Sequence, residues 1–167
     1  MPALVVPRSS VADSVRRAAR SGQWDDHPAY TGVARMDDGQ FDAWTDRLVA
    51  DAREGTPRPE GFVPSTNLWW VDGTEFLGRV QVRHRLTPRL RDLGGHVGYW
   101  VAPAVRRRGH ATAILAATLP VANALGLECV LVTCDDDNVA SRRVIEANGG
   151  LFQDRRGVKL RFWVPTA

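Results

Sequence analysis

The chain has 167 residues, 44% hydrophobic and 25% charged, which suits one globular domain with its own core and excludes a disordered chain. Basic residues exceed acidic ones by only three, 22 against 19, too small an excess for a dedicated nucleic-acid binder. With Cys129 and Cys134 as the only cysteines, a disulfide scaffold and a four-cysteine zinc site are both excluded, and no apolar run approaches the ~18–20 residues of a membrane span.

No signal-peptide pattern opens the chain, so a cytoplasmic protein with no membrane partner is expected. The basic residues are almost all arginine, Lys159 being the one lysine, and this bias reads as codon composition rather than function. Residues 3–6 suit a short first strand. Ser9 or Ser10 then caps a helix to about residue 20, with Val11, Val15 and Ala18 or Ala19 at helical spacing. Residues 21–38 read as irregular, with Gly22, Pro28, Gly32 and the acidic pair Asp25-Asp26. A second helix fits 40–53, with Phe41, Trp44, Leu48 and Val49 on one face. Gly55 stops it, and Pro57, Pro59 and Pro64 stiffen the stretch that follows.

From Thr66 the hydrophobic period changes to two. Residues 67–71 and 75–85 flank Asp72-Gly73, a short hairpin turn. In the second run Arg79, Gln81, Arg83 and Arg85 alternate with Val80, Val82 and His84, so one face is polar and the other mostly buried. A loop through Pro88 and Gly94-Gly95 leads to a strand at 96–101, ended by Pro103. Residues 111–125 form an alanine- and leucine-rich helix closed by Gly126. A buried strand at 127–134, a helix at 138–147 and strands at 151–155 and 158–164 complete the chain. This order, hairpin strands and then strand–helix–strand–helix–strand, predicts an α/β (α+β) fold with a mixed sheet.

The chemistry concentrates between Val101 and Ala111, where a strand passes into a helix through Arg106-Arg107-Arg108-Gly109-His110. A glycine-containing loop opening a helix presents unpaired N–H groups and the positive end of the helix dipole, which suits a phosphate or pyrophosphate. Gly109 permits close approach, Ala111 keeps the helix start slim, and Arg106, Arg107 and Arg108 add charge. The dinucleotide G-x-G-x-x-G and the Gly-Lys-Ser/Thr end of a P-loop are both missing.

Val101-x-Pro103, Arg106-x-x-Gly109-x-Ala111, then a helix, a buried strand, Asn138-x-x-Ser141 and Glu146 before a glycine pair resemble the GNAT superfamily of acetyl-coenzyme A-dependent N-acetyltransferases. The resemblance covers about 66–164 and matches the N-terminal part more loosely. It implies one GNAT-like domain over 1–167, with a cofactor-binding core at about 95–150 and acceptor-side elements at about 9–65. The implied sheet is mostly antiparallel, of about six to seven strands with about four flanking helices, and splayed at the cofactor cleft between 96–101 and 127–134. Acetyl-CoA as co-substrate, without a metal, follows from the same resemblance. It implies pyrophosphate on the amides of Arg106, Arg107, Arg108, Gly109, His110, Ala111 and Thr112. The backbone of Trp100 and Val101 would bond the pantetheine arm in an oxyanion-hole role, and Asn138 would contact that arm.

Two departures bear on catalysis. Where many relatives carry a tyrosine acid, seven residues after the Asn, this chain has Ile145. Where some ribosomal-protein acetyltransferases carry a glutamate base, it has Thr133. Ser141 is then expected near the thioester sulfur, orienting a water or assisting the thiolate, with no tyrosine acid; Tyr99 is expected to face away from the Trp100 side. The candidate general bases are His96, beside the cleft, and His84, whose competing reading is a satisfied core histidine. His27 and His110 read as solvent-facing, with His110 able to touch phosphate. One of Trp69-Trp70 is expected in the core and the other against the acceptor pocket, near Trp24, Tyr30 and Trp44. Asp135-Asp136-Asp137 reads as a solvated helix cap.

The leading function is acetyl transfer to a small-molecule amine in a ternary complex. Asp25, Asp26, Asp37 and Asp38 point to a cationic acceptor. A peptide or protein N-terminus is the alternative acceptor, and a non-catalytic acyl-CoA sensor the alternative class. Nucleic-acid binding through Arg83, Arg85, Arg89, Arg91 and the Arg106 run ranks last, so no nucleic-acid partner is expected. Either a monomer or a homodimer fits.

Overall fold

A computed structural model describes every residue of the chain except Gly22, Asp25 and Asp26. The hairpin signal at Asp72-Gly73 joins β2 (Ser65–Asp72) to β3 (Glu75–Arg83), with Gly73 at φ +59°. A register shift at Trp70/Val71 bends the pair. β1 (Ala3–Val5) and β4 (Val97–Val101) add antiparallel on either side, giving a four-stranded sheet in the order β1-β2-β3-β4. β5 (Cys129–Asp135), β6 (Leu151–Arg156) and β7 (Lys159–Pro165) form a second antiparallel sheet in the order β5-β7-β6. Seven strands are present among the described residues, within the expected six to seven, and the expected splay is a break in strand pairing between β4 and β5.

Among the described residues four α-helices cover the sheets: α1 (Ala12–Ala19), α2 (Asp38–Ala50), α3 (His110–Ala124) and α4 (Val139–Ala147). Alternation on the strands separates two cores. Leu68, Trp70, Val80, Val82 and Val97 join Ile114 and Leu115 of α3 and Ile145 of α4. On the opposite face Trp69, Val71 and Phe76 join Val15 of α1 and Phe41, Trp44 and Leu48 of α2. Trp69 and Trp70, adjacent on one strand, are both buried, one in each core, so neither walls an open pocket as the sequence suggested. Tyr30 and Trp44 are likewise core residues, bonded through Trp69 Nε1 to Tyr30 Oη at 3.0 Å and Trp44 Nε1 to the Ala29 carbonyl at 2.7 Å.

Several boundaries move for identifiable reasons. α2 starts two residues earlier than the hydrophobic face suggested. Asp37 caps it by accepting from Gln40 N–H at 2.8 Å, and Gln40 returns a bond to Asp37 N–H at 3.0 Å. Ser9 and Ser10 do not cap α1; they lie in a 3₁₀ turn, and Ser9 bonds Asp42 instead. The cap of α4 is Asn138, not the aspartate run. Asp135 pairs with Lys159 at 2.6 Å and Asp136 with Arg155 at 2.5 Å.

Candidate active site at the split between two sheets

The two sheets meet at one point before diverging. His96, just ahead of β4, donates its backbone N–H to the Leu131 carbonyl at 2.7 Å, and its Nδ1 accepts the Leu131 N–H at 2.9 Å. Gly95 permits this approach, because its backbone is at φ +64° and a Cβ there would lie 2.3 Å from the Leu131 oxygen. Beyond this vertex β4 and β5 part, and the β4 edge faces the gap. The bonds Arg83 N–H to His96 O and Ala102 N–H to Leu77 O mark both ends of the β3–β4 ladder. By antiparallel alternation the backbone groups of Gly98 and Trp100 face β3, whereas those of Tyr99 and Val101 face the gap. Val101 thus keeps the free-edge position that the sequence reading gave it, and Trp100 does not.

β4 leads through a 3₁₀ turn into α3, whose N-cap is Gly109 at φ +82°, with open space where a Cβ would stand. No side chain caps this helix and no acidic residue lies in its first turn. The N–H groups of His110, Ala111 and Thr112 precede the first intrahelical bond, Ala113 N–H to Gly109 O at 3.0 Å. Arg107 (φ +63°) and Arg108 are exposed beside this terminus. Arg106 points elsewhere: its Nε donates to the Val101 carbonyl at 3.0 Å and its guanidinium lies 6.0 Å from the Trp100 ring. It ties the loop back to β4. His110 is not solvent-facing, since its Nδ1 accepts from Trp70 Nε1 at 3.2 Å.

Across the gap, Asn138 Oδ1 accepts the Ser141 N–H at 3.0 Å, which spends one amide atom on capping α4 and leaves the Asn138 nitrogen without an assigned partner. Tyr99 Oη and Ser141 Oγ stand 2.6 Å apart, a bond that crosses from β4 to α4. Burial raises the Tyr99 phenol above its ordinary range against the opposing bond to Ser141, so it stays protonated at neutral pH. Tyr99 does lie on the face opposite Trp100, as expected, yet that face brings its hydroxyl to Ser141. The sequence reading missed this residue. The available signal was its place on β4 two residues before Val101, which the sequence reading had already set at the cleft. Ile145 is fully buried in the core, so position 145 carries no acid.

The two candidate bases are not free to act as bases. His96 is 6% exposed and uses Nδ1 on Leu131. Burial, reinforced by Arg91 and Arg83, lowers its pKa to about 4. His84 lies beyond the end of β3, with Nε2 2.8 Å from Thr66 Oγ1 and a pKa lowered by burial. It is bonded, as the structural reading expected, but it is half-buried at the strand end rather than in the core. His27 is half-buried, and its Nδ1 accepts the Ala29 N–H at 3.2 Å.

On the face of β3 opposite α3 lies a cavity of about 600 Å³, whose walls include His27, Phe62, Ser65, Gln81, Arg83 and Leu90. Gln81 pairs in register with Gly98, so this wall stands one strand from the free edge of β4. Asp37 and Asp38, two of the acidic residues expected on the acceptor side, do not line it. Asp37 is the α2 cap and Asp38 pairs with Arg16 at 2.8 Å, while Asp25 and Asp26 lie outside the described residues. Among the described residues no group of three His, Cys, Asp or Glu side chains is placed to hold a metal, and no helix is long and apolar enough to cross a membrane.

A split sheet with an uncapped helix opening at its free edge has known counterparts. The family model described as acetyltransferase (GNAT) domain matches residues 12–150. The chain belongs to the GNAT acetyltransferase family. Solved structures share this GNAT fold. Mycobacterium smegmatis RimJ in complex with CoA-disulfide superposes with a TM-score of 0.68 at 22% identity, covering 98% of this chain and 81% of that one. The microcin C7 self-immunity acetyltransferase MccE, in complex with acetyl-CoA and AMP, gives 0.67 at 12%, covering 98% and 92%. RimL, a ribosomal L7/L12 alpha-N-protein acetyltransferase, gives 0.63 at 12%, covering 98% and 90%. No curated protein is similar to this GNAT chain at the level of sequence.

Proposed function

We propose that this protein transfers an acetyl group from acetyl-CoA to the amine of a small molecule. The observation that carries the reading is the uncapped N-terminus of α3, opening next to the unpaired edge of β4. Acetyl-CoA supplies the acetyl group as an activated thioester. The free N–H groups of His110, Ala111 and Thr112, the positive helix end and the exposed Arg107 and Arg108 suit its pyrophosphate. The Tyr99 and Val101 backbone offers hydrogen bonds to the arm and to a carbonyl developing negative charge. Asn138 offers its side-chain nitrogen to the same arm.

Tyr99 and Ser141 together hold a proton where a thiolate has to leave. A phenol kept neutral by burial enters as donor, not as base. With His96 and His84 committed elsewhere, the acceptor reacts through its own neutral amine fraction. A cavity of about 600 Å³ beside β3 has the size of a small-molecule site, which favours a small amine over a protein surface.

The test combines calorimetry with acetyl-CoA and thiol release across small amines and N-terminal peptides. Saturable binding with turnover of small amines is expected. Turnover of peptides alone would replace the acceptor with a protein N-terminus. Binding without turnover of any acceptor would make the protein an acyl-CoA sensor.

A further inference from the structure

The wall of the acceptor cavity carries two groups whose bonding is incomplete. Gln81 is 6% exposed, and its Oε1 has no hydrogen-bond partner. Buried polar atoms are nearly always satisfied, so an unpaired acceptor lining a cavity marks a place for a donor from outside. Two residues along the same face, Arg83 is half-buried and donates from Nη1 to the Gly94 and Gly95 carbonyls at 3.1 and 3.2 Å. Those neutral acceptors fix the guanidinium without compensating its charge. No carboxylate among the described residues pairs with Arg83. Burial and the neighbouring Arg79 depress its pKa, as expected of a cation lacking a counter-ion. Arg89 adds a second positive charge to the lining, and among the described residues the one carboxylate there, Glu60, sits at the exposed rim.

We infer that this cavity selects a small amine that also carries an anionic group, a carboxylate or a phosphate, with Arg83 holding the anion and Gln81 Oε1 accepting an N–H of the amine. This rests on the transferase reading given above and replaces the cationic acceptor that Asp25, Asp26, Asp37 and Asp38 had suggested. Residues i and i+2 on one strand face are about 6–7 Å apart, a span that fits an amine and an anion separated by a few carbons. Arg suits carboxylate and phosphate alike through its planar donor fork. In the reaction, the neutral amine forms the new C–N bond as the thioester C–S bond breaks. The thiolate takes a proton from the Tyr99–Ser141 pair, the amine nitrogen releases one to solvent, and the pair regains its proton from solvent.

Matched acceptor pairs test the inference: β-alanine against its carboxamide for carboxylate, and phosphoethanolamine against ethanolamine for phosphate. In at least one pair the charged member should have a kcat/KM at least about tenfold higher, and Arg83→Gln should collapse that ratio toward one by raising KM. Arg83→Lys, which keeps the charge but loses the fork, should retain an intermediate ratio, and the wild-type ratios stand even where Arg83→Gln fails to fold. Equal use of both members, preference for the neutral ones, or an unchanged ratio in a folded Arg83→Gln overturns the inference alone. Failure of acetyl-CoA to bind, or binding without turnover of any acceptor, overturns the transferase reading and this inference with it.

Discussion

His96 and Leu131 exchange two hydrogen bonds at the point where the sheets part, one from the His96 backbone N–H and one received by the His96 ring. The ring therefore works as a neutral acceptor that closes the vertex of the cleft.

That role makes His96 a determinant of acid stability. Its pKa in the fold is about 4 against an ordinary 6.5, so the unfolded chain binds more protons between those values. The stabilisation is complete above pH 6.5 and is lost as pH falls toward 4, by about 3 kcal/mol at roughly 1.4 kcal/mol per pH unit. Urea denaturation across this range should show that loss in the wild type. His96→Asn, which keeps an acceptor without titrating, should lack it. The acidic limb of the pH–rate profile should stay unchanged in the same variant, whereas a limb that vanishes would restore His96 as the base.

Gly95→Ala should be strongly destabilising. Its φ of +64° strains any side chain, and the added Cβ would meet the Leu131 carbonyl oxygen at 2.3 Å. A loss of about 3 kcal/mol in chemical denaturation is expected. A loss below about 1 kcal/mol would show that the vertex yields easily.

Gly109 separates fold from cofactor. Aspartate and asparagine both tolerate left-handed backbone and cap helices well, and the Cβ would meet nothing within 4 Å. Gly109→Asp should thus keep or raise Tm while weakening acetyl-CoA binding at least about tenfold in calorimetry, because a carboxylate competes with phosphate at the helix end. Gly109→Asn should bind much closer to wild type. Equal affinity in all three proteins would move the pyrophosphate away from α3.

Tyr99→Phe and Ser141→Ala should each lower kcat about 10–100-fold with little change in acetyl-CoA affinity, since both remove part of one proton-donating pair. The double variant should cost little more than either single one. Additive losses would mean that the two hydroxyls act separately.

The sequence alone determined the order of elements, the hairpin at Asp72-Gly73, the loop-to-helix turn at Arg106 to Thr112 and the absence of an acid at position 145. Each depends on short-range periodicity, turn chemistry or fixed spacing, which a linear reading captures. Only the tertiary structure decided which side chains are already committed. His96 and Leu131 lie 35 residues apart, Tyr99 and Ser141 are separated by 42, and Trp70 meets His110 across 40. A histidine near a cleft reads the same in sequence whether its nitrogen is free or holds a backbone amide. The cavity beside β3 escaped for a related reason. Its chemistry depends on which charges lack partners, as with Arg83 beside neutral carbonyls and Asp38 beside Arg16, and pairing of this kind exists only once distant segments have packed.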